Sequence, residues 1–245
     1  MGISTGQDLQ SYAGTRVTIA GGTGFIGRWV ARALSDSGAE LTLLARDLAA
    51  ARAIAGQFGF TCRFIPLDLT DFAAVTRNLA GLRPQILFNL AAYGINAAES
   101  DLSTARRINH ELLPVLCDAL AEVDAGGWAG RRLVHAGSVA EYGPVVETLD
   151  ESMPAHPRSL YGSTKLAGTE AVQRCCLSSG MNGVTARLFG VYGPGERPGR
   201  LLPVLMDAAR LQRVAELGPA GQQRDFLFVE DVAEGLLRVG ISAGQ

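Results

Sequence analysis

Tyr161 and Lys165 stand four residues apart in SLYGSTKLAGTEAVQRC, a stretch that reads helical, so both side chains leave one face of a helix. A phenol beside an ammonium is an acid-base pair. The cation favours phenolate and lowers the tyrosine pKa from about 10 toward the working range. Ser138, just beyond the apolar run RLVHAG, supplies a hydroxyl able to hydrogen-bond the substrate oxygen whose proton Tyr161 would give or take. Taken alone, a Y-x-x-x-K spacing arises by chance and a serine after a strand is a turn or cap residue, so the surrounding elements decide the reading.

Upstream, the run Arg16 to Ala20 leads into Gly21-Gly22-Thr23-Gly24-Phe25-Ile26-Gly27 and then an amphipathic segment carrying Trp29, Val30, Ala33 and Leu34. Glycine at 21 permits a tight turn, glycine at 24 lets backbone approach a pyrophosphate, and glycine at 27 allows close helix-sheet packing. The helix N-terminus adds N–H donors and its dipole. Between the first strand and first helix of a βαβ unit, this cluster reads as a nicotinamide dinucleotide site, and Lys165 becomes a candidate to hold the nicotinamide ribose. A strand end about twenty residues after the first glycine is where an NAD site presents an acid to the ribose diol. Here LTLLARD puts Arg46 in that region, and a guanidinium pairs with a 2′-phosphate, so NADP(H) is the preferred cofactor. The alternative is NAD(H), with Arg46 a solvated cation and Asp47 on the diol. Asp68 has two readings as well: a carboxylate for the adenine amino group, or a cap for the next helix. Asn89 and Asn109 are polar residues amid apolar ones, serving either the site or a buried backbone group.

The elements that must position these residues are legible as an alternation. Short β-rich runs (16–20, 41–45, 62–66, 86–91, 132–137 and 183–189) alternate with apolar-periodic segments (25–36, 47–57, 71–79, 101–123 and 159–179) long enough to be crossover helices. The runs are nearly unbroken apolar, as in strands covered on both faces. The fold class is therefore α/β, a doubly wound parallel sheet of Rossmann type. Residues 1–14 read as a mobile N-terminal arm and 15–189 as the dinucleotide-binding domain. Residues 190–245 read as a small substrate-binding lobe with a Pro/Gly/Arg-rich loop, an apolar helix near 201–213 and a returning strand-helix unit.

Composition narrows the partners. Hydrophobic residues make up 47% and charged residues 19%, in keeping with one large globular domain. A net charge of -2 supplies no basic field for nucleic acid or an anionic membrane. No apolar run approaches a membrane span, and four cysteines (62, 117, 175, 176) without C-x-x-C spacing, with only three histidines, argue against a metal site. Reduced thiols and the lack of a signal-like start suit a cytoplasmic protein.

With these motifs in order, the chain resembles the extended short-chain dehydrogenase/reductase family, in its branch of nucleotide-sugar epimerases, dehydratases and 4-ketoreductases. The likeness spans Arg16 to Val239. It rests on GGTGFIG, DL at 68–69, NLAA at 89–92, Asn109, GSVAEYG at 137–143, YGSTK at 161–165, RLFGVYGPG at 187–195 and QRDFLFVEDVAEG at 223–235. The resemblance implies Ser138, Tyr161 and Lys165 as the catalytic set, with Asn109 supporting the lysine through the active-site helix. It also implies cofactor contacts from Thr23, Phe25, Ile26, Leu69, Leu90, Ala91 and Ala92, and substrate contacts from Val139, Arg200 and Arg224, the last meeting a sugar-nucleotide diphosphate. A homodimer through the helices near 101–123 and 159–179 is implied too.

Three departures bear on the reaction. Dehydratases of the family carry acids where this chain has Val139 and Ala140, which disfavours elimination of water, although Glu141 sits one residue away. The usual Asn of R-x-x-N-V-Y-G-P is Gly190, and the chain stops soon after VEDVAEGLLRVG. The reading is an NADP(H)-dependent 4-ketoreductase or 4-epimerase of a nucleotide-activated deoxysugar. The alternatives are a reductase of a non-sugar ketone and a non-catalytic dinucleotide sensor.

Overall fold

The computed structural model describes residues 8–95, 99–144, 148–218, 221 and 224–242. Six parallel strands, β1 (Arg16–Ala20), β2 (Glu40–Ala45), β3 (Arg63–Pro66), β4 (Ile86–Asn89), β5 (Leu133–Ser138) and β6 (Gly183–Leu188), form one sheet in the order β3-β2-β1-β4-β5-β6. The chain builds outward from β1 to β3, returns, and continues from β4 to β6. The strand order therefore reverses between β1 and β4, where a doubly wound sheet opens a crevice at its carboxyl edge. β1, β2, β4 and β5 are buried on nearly every residue, as their apolar runs require.

Helices fill both faces. On one face, α1 (Phe25–Asp36) and α8 (Val229–Ile241) pack together, with Val30, Leu34, Leu236 and Leu237 meeting Val17, Ile19, Phe88 and Val134 of the sheet. On the other, α3 (Phe72–Leu82), α5 (Leu112–Ala121) and α6 (Leu160–Ser179) enclose Leu79, Leu87, Leu112, Leu116, Leu133 and Val172. Local chemistry sets the ends of these helices. Asp71 caps α3 by accepting from Ala74 N, Ser159 caps α6 through Gly162 N, and Gly180 closes α6 in the left-handed conformation.

Two further strands, β7 (Gly190–Tyr192) and β8 (Phe226–Phe228), pair in parallel apart from the main sheet, with α7 (Leu201–Arg210) between them in the chain. α7 buries none of its residues. The returning strand-helix unit anticipated near the end of the chain is β8–α8, and α8 is part of the main core.

The mobile arm anticipated over residues 1–14 requires correction in its second half, while residues 1–7 lie outside the described residues. Asp8–Tyr12 form a 3-10 turn whose Tyr12 is fully buried between Phe88 and Trp128 and donates its hydroxyl to Leu237 O at 2.7 Å. An aromatic ring with a satisfied hydroxyl stabilises a segment that composition alone marks as polar. No described helix is long and apolar enough to cross a membrane.

Candidate active site

The carboxyl edge of β1 passes directly into the glycine turn. Gly21 has φ +81°, and a side chain there would run into the backbone of Leu90 and Ala91 at the end of β4. Glycine is thus required both by the turn and by the neighbouring strand's approach. Gly27 packs against the backbone of Gly21 and Gly22, as the sequence predicts. Gly24 begins α1 with no side-chain cap, which leaves the first-turn N–H groups as donors for an anion. This cradle fits a dinucleotide pyrophosphate. Thr23, Phe25 and Ile26 follow in the turn and the first turn of α1, Leu90 and Ala91 lie against Gly21 after β4, and Ala92 comes next in the chain.

The residues of the two cofactor readings lie just past β2. Arg46 is exposed just past β2. Asp47, the alternative diol ligand, accepts a hydrogen bond from Ala50 N at 3.0 Å and caps α2 (Leu48–Phe58). Asp68 is engaged by its own turn: its Oδ1 accepts from Thr70 N and Thr70 Oγ1 at 2.9 and 2.8 Å. Those bonds hold its carboxyl below the ordinary range, helped by Arg46 and Arg107. The next helix takes its cap from Asp71 instead. Leu69 follows in the same turn, packed at the rim of the second core.

Ser138 ends β5, one position from the Gly137–Arg187 register pair with β6. Its hydroxyl accepts from Ala140 N at 3.2 Å, opening the 3-10 turn Val139–Glu141. Glu141 completes a reciprocal cap: its Oε1 accepts from Ser138 N at 2.8 Å. The other oxygen accepts from Thr169 Oγ1 at 2.9 Å and from Arg187 Nε at 2.8 Å, and Arg187 also stacks over the Tyr142 ring. This fully buried carboxylate is spent on structure, so it is no proton donor to a substrate.

Tyr161 rises from the first turn of α6, with the Ser138 side chain near enough to act on its phenol. Burial pushes its phenol up to about 12, outweighing the lowering from Ser138 and Arg200. The expectation that Lys165 lowers it is corrected here: the lysine is one turn further on, fully buried, with Nζ 3.4 Å from His135 Nε2. Burial in turn pulls the Lys165 ammonium down to about 8, against the raising influence of Glu141.

Asn109 lies in a π-helical turn, Arg107–Glu111, between α4 (Leu102–Arg106) and α5. Its amide donates to Tyr93 O and Thr164 Oγ1 at 2.8 and 2.9 Å and accepts from Tyr93 N at 3.0 Å. It therefore ties the loop after β4 to the residue preceding Lys165, and π-turns of this kind recur at functional sites. Val139 flanks Ser138, half-buried. Arg200 immediately precedes α7, its guanidinium 3.6 Å from Glu196, and Arg197 reaches Glu99 at 3.9 Å. Arg224 is exposed two residues before β8. The side chain usual at position 190 has no room: a Cβ on Gly190 would press on Asp225 O and the Phe226 ring.

Sequence reasoning missed three participants. His135 was noted only in counting metal ligands, and Glu141 and Arg187 were not seen as a pair. The available signal was a histidine and a glutamate inside otherwise apolar or turn segments, and only the packing of β5 against β4, β6 and α6 gives them partners.

A profile of the NAD dependent epimerase/dehydratase family matches residues 17–242. The chain is 36% identical over 237 residues to a dTDP-6-deoxy-L-talose 4-dehydrogenase (NAD(P)(+)) from Kitasatospora kifunensis, covering 92% of this chain and 70% of that protein. It is 28% identical to a UDP-glucose 4-epimerase from Mycolicibacterium smegmatis, covering 94% and 74%. Among solved structures, MoeE5 in complex with UDP-glucose and NAD superposes with a TM-score of 0.74 at 28% identity, over 91% of this chain and 71% of that one. With the glycine cradle, the Ser138–Tyr161–Lys165 cluster and this match over nearly the whole sequence, the chain belongs to the NAD-dependent epimerase/dehydratase family of extended short-chain dehydrogenases/reductases.

Proposed function

We propose that this protein is an NADP(H)-dependent enzyme acting at C4 of a nucleotide-activated deoxysugar, by reduction of a 4-ketone or by 4-epimerisation. The observation that carries the reading is the meeting of Ser138 and the half-buried Tyr161 at the carboxyl edge of the sheet, beside the glycine cradle, in a chain similar to a dTDP-sugar 4-dehydrogenase. A bound nicotinamide would supply the hydride. Tyr161 gives the proton to, or takes it from, the C4 oxygen, and Ser138 orients that oxygen through its hydroxyl. Lys165 holds ribose hydroxyls of the cofactor. Elimination of water is disfavoured, because Val139 and Ala140 carry no acid and Glu141 is locked in its buried contacts.

Arg46 supports NADP(H) over NAD(H), since Asp47 is occupied as a cap and the guanidinium suits a 2′-phosphate. Arg200 and Arg224 are the candidate cations for the diphosphate. A homodimer across the outer surfaces of α5 and α6 belongs to the same reading. The test is to incubate the protein with NADPH or NADH and a panel of dTDP- and UDP-4-ketosugars. Stoichiometric NADPH consumption indicates reduction, epimer exchange without net consumption indicates epimerisation, and inertness toward every sugar nucleotide alongside reduction of neutral ketones overturns the substrate class.

A further inference from the structure

A buried polar chain runs behind the catalytic lysine. Asn89 at the end of β4, His135 in the middle of β5 and Lys165 on α6 are all within the interior, with Asn89 Nδ2 at 3.2 Å from His135 Nδ1 and Lys165 Nζ at 3.4 Å from His135 Nε2. Asn89 and His135 are fully buried, in a strand interior where an aliphatic residue would pack without cost. We propose that His135 is a positioning residue for this site, holding Lys165 through Nε2, and that the Asn89–His135–Lys165 chain alternates between two hydrogen-bonding registers as the lysine gains and loses its proton.

The argument is one of donor counting. Burial and the adjacent Lys165 charge hold His135 well below its ordinary range, so the ring is neutral, with one N–H donor and one lone-pair acceptor. A lysine ammonium only donates. While Lys165 is charged, Nε2 must accept from it, the ring proton sits on Nδ1, and Asn89 must offer its Oδ1 to that proton. When Lys165 is neutral, its lone pair accepts from Nε2–H, and Nδ1 accepts from Asn89 Nδ2. One proton is lost and the ring proton changes nitrogen, with no net charge on the imidazole in either state.

The lysine's midpoint, about 8, makes both registers accessible near neutrality. The groups acting on this chain come from each neighbouring element: Lys165 from α6 and Asn89 from β4 on the ring, and Glu141 from the turn after β5 on the lysine. The switch also touches the cofactor cradle. With Nδ2 toward the ring, Asn89 Oδ1 lies 3.4 Å from Ala91 N, the backbone against which Gly21 packs, and amide reversal gives up that contact.

The inference rests on the reading of Lys165 as an active-site group, and its primary test needs neither substrate nor cofactor. Protein labelled with 15N-histidine is titrated from about pH 6 to about pH 10 by long-range 1H–15N correlation, with the His135 signals assigned by their loss in His135→Gln. The expected result is a neutral ring throughout, protonated on Nδ1 at low pH and on Nε2 at high pH, with a midpoint near about 8. In Lys165→Met the ring should keep one tautomer at every pH. A tautomer that does not change with pH, or a change that survives Lys165→Met, overturns the proposal.

A second readout uses NADPH as the probe, its affinity followed by fluorescence across the same range. His135→Leu removes the acceptor and should weaken NADPH by about tenfold, with the alkaline loss of binding moved to lower pH by about one unit, while His135→Gln, which keeps an acceptor near Nε2, restores most of both. Equal losses in the two variants with no shift in pH dependence would make His135 merely structural. Failure of the unaltered protein to bind NADPH would instead count against the functional reading and leave the tautomer titration to decide this one.

Discussion

Glu141 and Arg187 join the end of β5 to the end of β6, their Oε2 and Nε atoms 2.8 Å apart, with the carboxylate fully buried and its second oxygen on the backbone N–H of Ser138. The pair therefore holds Ser138 by its own main chain. It also explains why an acidic residue beside the site is withheld from the reaction: each of its oxygens already accepts from the protein.

Glu141→Ala leaves Arg187 without its carboxylate and Ser138 N without an acceptor. Removing one member of a buried pair costs about 3–5 kcal/mol. Denaturant unfolding should show a loss of that order, and kcat/KM should fall through a misplaced Ser138. A loss under about 1 kcal/mol would mean that the pair is screened and that Ser138 is held by other contacts.

Lys165→Met should make the protein more stable while disabling it. Burial lowers the lysine from its ordinary 10.5 to about 8, so between those values the unfolded chain binds more protons than the native state and stability rises with pH. Below that window the native state carries a buried ammonium, and its removal should gain about 1–3 kcal/mol near neutral pH. The advantage should shrink as pH climbs through the window, where the native lysine is already neutral. Urea unfolding at the two ends of the range decides it, and a methionine variant less stable at neutral pH would refute the account.

Tyr161→Phe removes only a hydroxyl. Cofactor affinity and melting temperature should persist, while kcat falls by about 10² to 10⁴, the range of lost acid-base catalysis. Because Glu141 is occupied, no neighbouring acid should rescue the variant. Substantial residual turnover would move the proton donor elsewhere.

Arg46→Asp should narrow or invert a preference for NADPH over NADH. A charge-assisted contact is worth about 1.5–3 kcal/mol, or roughly tenfold to a hundredfold in Kd. Equal affinity of the unaltered protein for the two cofactors would assign Arg46 to solvent.

Arg224→Ala should raise KM for a sugar nucleotide by about tenfold and leave ketones lacking phosphate unaffected. Melting temperature should change little. A lowered melting temperature with equal losses for every substrate would make the arginine structural.

Much of this architecture is written locally. The turn at Gly21, the cap residues Asp47, Asp71 and Ser159, and the one-turn spacing of Tyr161 and Lys165 each follow from backbone sterics or helical period within a few residues, and they carry the glycine turn and the proposed acid-base pair. The parallel sheet is equally legible, because strands covered on both faces must be apolar throughout.

What only the tertiary structure decided lies between residues far apart in the chain. Tyr12 finds its acceptor 225 residues away, Glu141 its arginine 46 away, and Lys165 its imidazole 30 away. Such partners depend on which strands become neighbours and in what register, and a polar residue in an apolar run announces only that it needs one. The same dependence reversed the direction expected for Tyr161: the four-residue spacing puts the phenol and the ammonium on one helix face, but the depth to which that face is buried raises the phenol and lowers the ammonium.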